Sequence, residues 1–78
     1  MFLVGEILKN SRERKNIKLE KVAKDLNISS SLLKCIEDNE IPDHLNKVYL
    51  VGYVRTYSDY LELDSNEIVL QFKNKNQF

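Results

Sequence analysis

Apolar residues in this chain return at intervals of three and four, and nowhere do they alternate with polar ones over a useful length. That spacing marks helices with one buried face, so the expected fold class is all-α. In "LVGEILKNSRERKN" Leu3, Ile7 and Leu8 share a face, and Arg12, Glu13 and Lys15 continue it as a charged end. Asn16 follows, where Asn is second only to Gly for the left-handed turn that closes a helix. "IKLEKVAKDLNI" sets Leu19, Val22, Ala23 and Leu26 at i, i+3, i+4 and i+7. "NISSSLLKCIEDNE" offers serine caps at Ser29 or Ser30 ahead of Leu32, Leu33 and Ile36. Three short helices with a tight second connection form a helix-turn-helix layout.

Pro42 forbids helix continuation and biases Ile41 toward extended geometry, so the pattern breaks at "DNEIPDHLN". A fourth helix is expected from about Asn46 to Leu61. Asp64, with Glu67 three residues on, reads as a capping box for a fifth helix that packs through Ile68, Val69 and Phe72. The expected organisation is a five-helix, repressor-like helix-turn-helix domain over residues 1–72. A polar tail, residues 73–78, is expected to fray and to begin a linker. A chain of 78 residues holds one small domain that buries only about 60% of its unfolded surface, so each large apolar residue counts.

Charge narrows the function. The net charge is zero, yet Lys9 to Lys24 holds seven basic residues against Glu13 and Glu20, a local balance of +5. From Asp25 to Asn46 only Lys34 opposes Asp25, Glu37, Asp38, Glu40 and Asp43, a balance of −4. Any attraction to phosphates must therefore come from the first third. The single cysteine, Cys35, cannot form an internal disulfide and reads as a semi-buried filler. No apolar run approaches the roughly 20 residues of a membrane span, and Met1-Phe2-Leu3-Val4 lacks the build of a signal peptide. These features lead to the expectation of a cytoplasmic protein.

Nothing in the sequence suggests an enzyme. The lone histidine, His44, stands beside Asp43 in a loop, which is no catalytic arrangement by itself. One Cys and one His do not make a zinc site. Asp64, Asn66 and Glu67 lack the Gly and the length of a calcium loop, and the capping box accounts for them better. No catalytic residue, cofactor or metal is expected.

All four tyrosines fall in "VYLVGYVRTYSDYLELD". At 100° per residue, Leu50, Val54, Tyr57 and Leu61 form a line along one side of the fourth helix. Tyr49, Tyr53 and Tyr60 lie on an adjoining shoulder, and Lys47, Val51, Arg55, Ser58 and Asp59 lie opposite that shoulder. Spacing leaves two readings open. Either all four rings fill the core, or the shoulder is a protein-binding face, since Tyr is enriched at interface hot spots.

From Val4 to about Phe72 the sequence resembles the N-terminal cytoplasmic domain of the RodZ family of bacterial cell-shape proteins. The most specific part is Tyr49, Gly52, Tyr53, Arg55 and Tyr57, followed by Tyr60-Leu61 and Leu63-Asp64. The resemblance implies a scaffold domain carried on the cytoplasmic side of a single membrane span, here downstream of the chain, which binds the actin-like filament protein MreB. It implies that Tyr49 and Tyr53 contact that partner while Tyr57 belongs to the core, with Lys47 and Arg55 adding rim contacts. Three departures stand out. Lys18 occupies a position usually held by a Ser or Thr cap, Asn16 replaces a more usual Gly, and the contact pair is Tyr/Tyr where a Phe is common.

The alternative is a DNA-binding transcriptional regulator. A helix-turn-helix reads bases with the first residues of its second helix, which here are Ser29, Ser30, Ser31 and Lys34. Serines are weak readers beside Arg, Asn or Gln. Arg12 and Lys15, within the cluster Lys9, Arg12, Arg14, Lys15, Lys18, Lys21 and Lys24, would supply the phosphate contacts. A solvated helical face explains that cluster more simply, with anionic lipid or an acidic partner surface as the next reading, so nucleic acid is the less favoured partner.

Overall fold

A computed structural model describes residues 3–76 as five helices: α1 Val4–Arg14, α2 Leu19–Leu26, α3 Ser30–Glu37, α4 Lys47–Tyr60 and α5 Ser65–Asn76. Among the described residues there is no strand, and the chain has the expected all-α, helix-turn-helix build. One core joins Val4, Leu8, Val22, Leu33, Ile36, Leu50, Val54, Tyr57, Leu61, Ile68, Val69 and Phe72. Within it α1 packs on α3 and α5, α2 on α3 and α4, and α4 on α5.

The helices stop where left-handed residues can be tolerated. Asn16, Asn27, Asn39 and Glu62 all have positive φ. In each case the next residue's N–H reaches back to a carbonyl five positions before it: Ile17 to Arg12, Ile28 to Ala23, Glu40 to Cys35 and Leu63 to Ser58. This is the Schellman closure, which satisfies carbonyls that a helix end leaves bare. Asn can take the turn because its short polar side chain lowers the left-handed penalty. Glu62 bears that penalty without such help.

The helix starts are less uniform. Ser29 caps α3, its Oγ accepting from the Leu32 N–H at 3.0 Å, and Asn46 caps α4 by accepting from Val48 at 2.8 Å. Lys18 offers α2 no side-chain cap. Leu3 offers α1 none either, but the Gly5 N–H donates to Asn39 Oδ1 at 3.1 Å, so the end of α3 caps the start of α1. Half of the expected capping box of α5 forms: the Glu67 N–H donates to Asp64 Oδ1, while the Glu67 carboxylate accepts from Gln71.

The expected tail is corrected over its first residues. Lys73 to Asn76 continue α5, because nothing in "KNKN" stops a helix already anchored by Phe72. Gln77 and Phe78, like Met1 and Phe2, lie outside the described residues.

Candidate partner-binding surface

The fourth helix has a saturated side and an unsaturated one. Leu50, Val54, Tyr57 and Leu61 are buried, as their spacing predicts. Ser58 is buried too, against its expected place on the polar flank; α5 covers that flank, and Ser58 Oγ donates to the Val54 carbonyl at 2.7 Å. Val48, opposite the core line, is 77% exposed, and Tyr49, on the adjoining shoulder, is 66% exposed. Large apolar side chains with no intramolecular partner, set beside each other, are what an interaction face requires.

Each tyrosine has a separate situation. Tyr57 is fully buried and donates to Glu37. Tyr60 is pinned to α2, its hydroxyl donating to Asp25 Oδ2 at 2.7 Å; Lys21 Nζ donates to the same oxygen at 3.0 Å. That shared proton geometry raises the Tyr60 pKa and, with help from Lys21, lowers that of Asp25. Tyr53 is half-buried and packs on the edge of the core. Tyr49 alone of the four is exposed. Of the expected rim residues, Lys47 is exposed in the first turn, and Arg55 is exposed with its Nη1 donating to Asn66 Oδ1 at 2.8 Å on α5. Tyr49, Tyr53, Lys47 and Arg55 therefore share one helix, with the first two graded from open to half-covered.

The residues of the DNA alternative fare differently. Ser30 and Ser31 are exposed at the start of α3, and Ser29 is committed as its cap. Lys34 pairs with Asp38 at 3.3 Å, and Lys15 reaches Glu62 at 3.5 Å. Arg12 is a correction: it is not a surface cation. Its Nε donates to Glu37 Oε2 at 2.7 Å, its Nη2 to Oε1 at 3.1 Å, and its Nη1 to the Ile17 carbonyl at 2.8 Å. Only 12% of the Arg12 side chain and 4% of the Glu37 side chain remain exposed. A two-pronged pair of this kind orients the guanidinium inward and takes it out of reach of a phosphate.

Residue type conceals this network in the sequence. Arg12 lies four residues after Leu8, Glu37 four after Leu33, and Tyr57 three after Val54, each in register with a buried line. Three polar side chains in apolar register are the available signal, though it does not reveal that they meet. Burial and the Glu37 hydrogen bond raise the Tyr57 pKa, and the Glu37 hydrogen bond raises that of Arg12. For Tyr57 the sign is definite. An unfolded tyrosine ionises near pH 10 while the native one keeps its proton, so the Tyr57 contribution to stability is constant below that pH and is lost progressively above it. Urea melts of the wild type from pH 8 to 11 should show a loss steeper than in Tyr57→Phe by up to about 1.4 kcal/mol per pH unit. Equal slopes would mean that the Tyr57 hydroxyl is not held as described.

Among the described residues no group of three or more His, Cys, Asp or Glu side chains could hold a metal ion, and no helix is long and apolar enough to cross a membrane. A helix-turn-helix domain family matches residues 7–68. A protein of Haemophilus influenzae Rd, itself uncharacterized, is 40% identical over 60 residues, which is 76% of this chain and 20% of that protein. The chain thus spans about a fifth of that curated relative's length. No solved structure matches.

Proposed function

We propose that this chain, which belongs to the helix-turn-helix domain family, is a protein-binding scaffold module that docks α4 on an actin-like filament protein of the MreB kind. The reading makes it the cytoplasmic domain of a RodZ-like cell-shape protein whose membrane span lies outside this sequence. The observation that carries it is the pairing of Val48 and Tyr49, both well exposed, on a helix whose opposite side is filled by the core. Tyr53 extends that face toward the body of the domain, and exposed Arg55 stands two turns along from Val48 at its edge. Aromatic and aliphatic anchors suit a specific protein surface better than a polyanion.

A duplex-DNA role draws on the same family membership but has weaker support. Arg12 is turned inward, Lys15, Lys21 and Lys34 are engaged with carboxylates, and the exposed readers reduce to Ser30 and Ser31. Affinity for duplex DNA rises with the number of phosphates neutralised; Arg14, Lys18 and Lys24 remain exposed, but Arg12 is withdrawn from the surface and the net charge of the chain is zero.

Co-sedimentation of the domain with polymerised MreB, run beside thermal melts, tests the proposal. Tyr49→Ala should lose most filament binding with an unchanged melting temperature, because the ring contacts little of its own domain. Tyr53→Ala should lose binding and also melt earlier, since that ring is half-buried. Filament binding that survives both substitutions, or sub-micromolar binding to duplex DNA with a steep salt dependence, would defeat the proposal.

A further inference from the structure

We propose that Tyr57 and Tyr60 are positioning residues that form a two-point rotational lock on α4. Each phenol is held by a carboxylate that a cation holds in turn, so polar bonds rather than apolar packing decide which side of α4 faces out. The lock belongs to the domain itself and stands whether or not α4 meets a filament.

Apolar packing leaves the rotation of α4 loosely set. At about 100° per residue, Tyr49, Tyr60, Tyr53, Tyr57, Leu50, Leu61 and Val54 fill an arc of roughly 140° with no charged residue in it. Burial of apolar area is non-directional. Turning the helix within that arc exchanges one apolar side chain for another at the core. The core line alone therefore does not hold Tyr49 outside while Leu50, its neighbour in sequence, is enclosed.

Two hydrogen bonds supply the missing direction. The Tyr57 hydroxyl donates to Glu37 of α3, and Arg12 of α1 fixes that carboxylate through Nε at 2.7 Å and Nη2 at 3.1 Å. The Tyr60 hydroxyl donates to Asp25 Oδ2 of α2 at 2.7 Å, and Lys21 Nζ donates to the same oxygen at 3.0 Å. The same chain of phenol, carboxylate and cation thus occurs twice, once enclosed and once at the surface. Its two acceptors stand on different helices. Hydrogen bonds are directional and weaken steeply when misaligned, so turning α4 by one residue would carry both hydroxyls off their acceptors. With both bonds made, Val48 and Tyr49 are held to the outside.

Amide relaxation-dispersion NMR on Tyr57→Phe, Tyr60→Phe and the double variant tests the lock, because phenylalanine keeps each ring and removes only its hydroxyl. Tyr57→Phe should lower the melting temperature by about 4–8 °C, the net loss of one hydrogen bond. Arg12 still satisfies Glu37 in that variant, so the domain stays folded. Wild type and both single variants should give one sharp set of α4 signals, since one tie survives in each single variant. The double variant should lose those sharp lines to exchange broadening, strongest across Lys47–Tyr60 and weakest in α1. Val4→Ala, which removes core volume from α1, controls for destabilisation and should leave α4 sharp. The lock is refuted if the double variant keeps wild-type lines, if its broadening is uniform over all five helices, or if Val4→Ala broadens α4 equally. It is refuted as a two-point device if either single variant broadens α4 as much as the double.

Discussion

Glu37→Ala should lower the melting temperature by at least about 12 °C, the largest effect expected of any single change in this domain. The carboxylate is almost wholly enclosed and accepts from Arg12 twice and from Tyr57 once. These three residues come from α3, α1 and α4, so one side chain ties together helices distant in sequence. Removing it leaves a mostly buried guanidinium and a buried hydroxyl without their acceptor. Breaking one partner of a buried ion pair costs about 3–5 kcal/mol, and each kcal/mol moves the midpoint by roughly 4–8 °C at this size. A domain of this length is stable by only about 4–12 kcal/mol, so the loss consumes much of the total. Arg12→Ala should behave alike, for the stranded charge is then the carboxylate. Replacing the whole set with Arg12→Met, Glu37→Leu and Tyr57→Phe should recover most of the stability, because an apolar cluster of similar volume carries no desolvation cost. A small shift in Glu37→Ala, below about 4 °C, would show that the three side chains do not act as one network.

Gly5→Ala should also destabilise, by about 1–3 kcal/mol, the usual cost of overpacking, despite the better helix propensity of alanine. The new methyl would overlap the carbonyl oxygens of Ile36 and Glu37 and stand 2.8 Å from Asn39 Oδ1. Backbone carbonyls at the end of α3 cannot swing aside as a flexible side chain could, so α1 must move away. Such movement stretches the Gly5 to Asn39 hydrogen bond that caps α1. It also strains the Arg12 to Glu37 pair two turns along the same helix, which places the expected cost toward the upper end of the range. Urea denaturation of Gly5→Ala and Gly52→Ala in parallel gives an internal control. The same substitution in two helices should shift the midpoint in opposite directions, since one glycine is enclosed and the other faces open space.

Much of this architecture can be read from the residues. The spacing of Leu50, Val54, Tyr57 and Leu61 predicts the buried side of α4, and Asn46 and Leu61 mark its ends to within a residue. Asn16 signals a left-handed closure before any coordinate is known, and the same reasoning extends to Asn27 and Asn39. What escapes is whatever depends on two segments meeting. Arg12 and Glu37 read individually as solvated charges, because a charge in apolar register declares its burial only when its counter-ion is located. Ser58 reads as flank because periodicity describes one helix, whereas its burial comes from α5 packing on α4. Gly5 reads as an unremarkable early helix residue until the close approach of α3 explains it. The exposed face of α4 is legible in kind, as aromatics off the core line, but not in gradation. Only the packing of α2 and α5 around α4 separates exposed Tyr49 from half-buried Tyr53 and pinned Tyr60.

The footprint of the partner on the domain tests the docking account most directly. Adding a small proportion of polymerised MreB to the isotopically labelled domain and following its amide NMR signals would locate contact residue by residue. The account predicts selective attenuation at Val48, Tyr49, Gly52, Arg55 and Thr56, with Ser30 and Ser31 at the start of α3 unaffected. Attenuation centred on α3 and sparing α4, or no selective change at all, would contradict it.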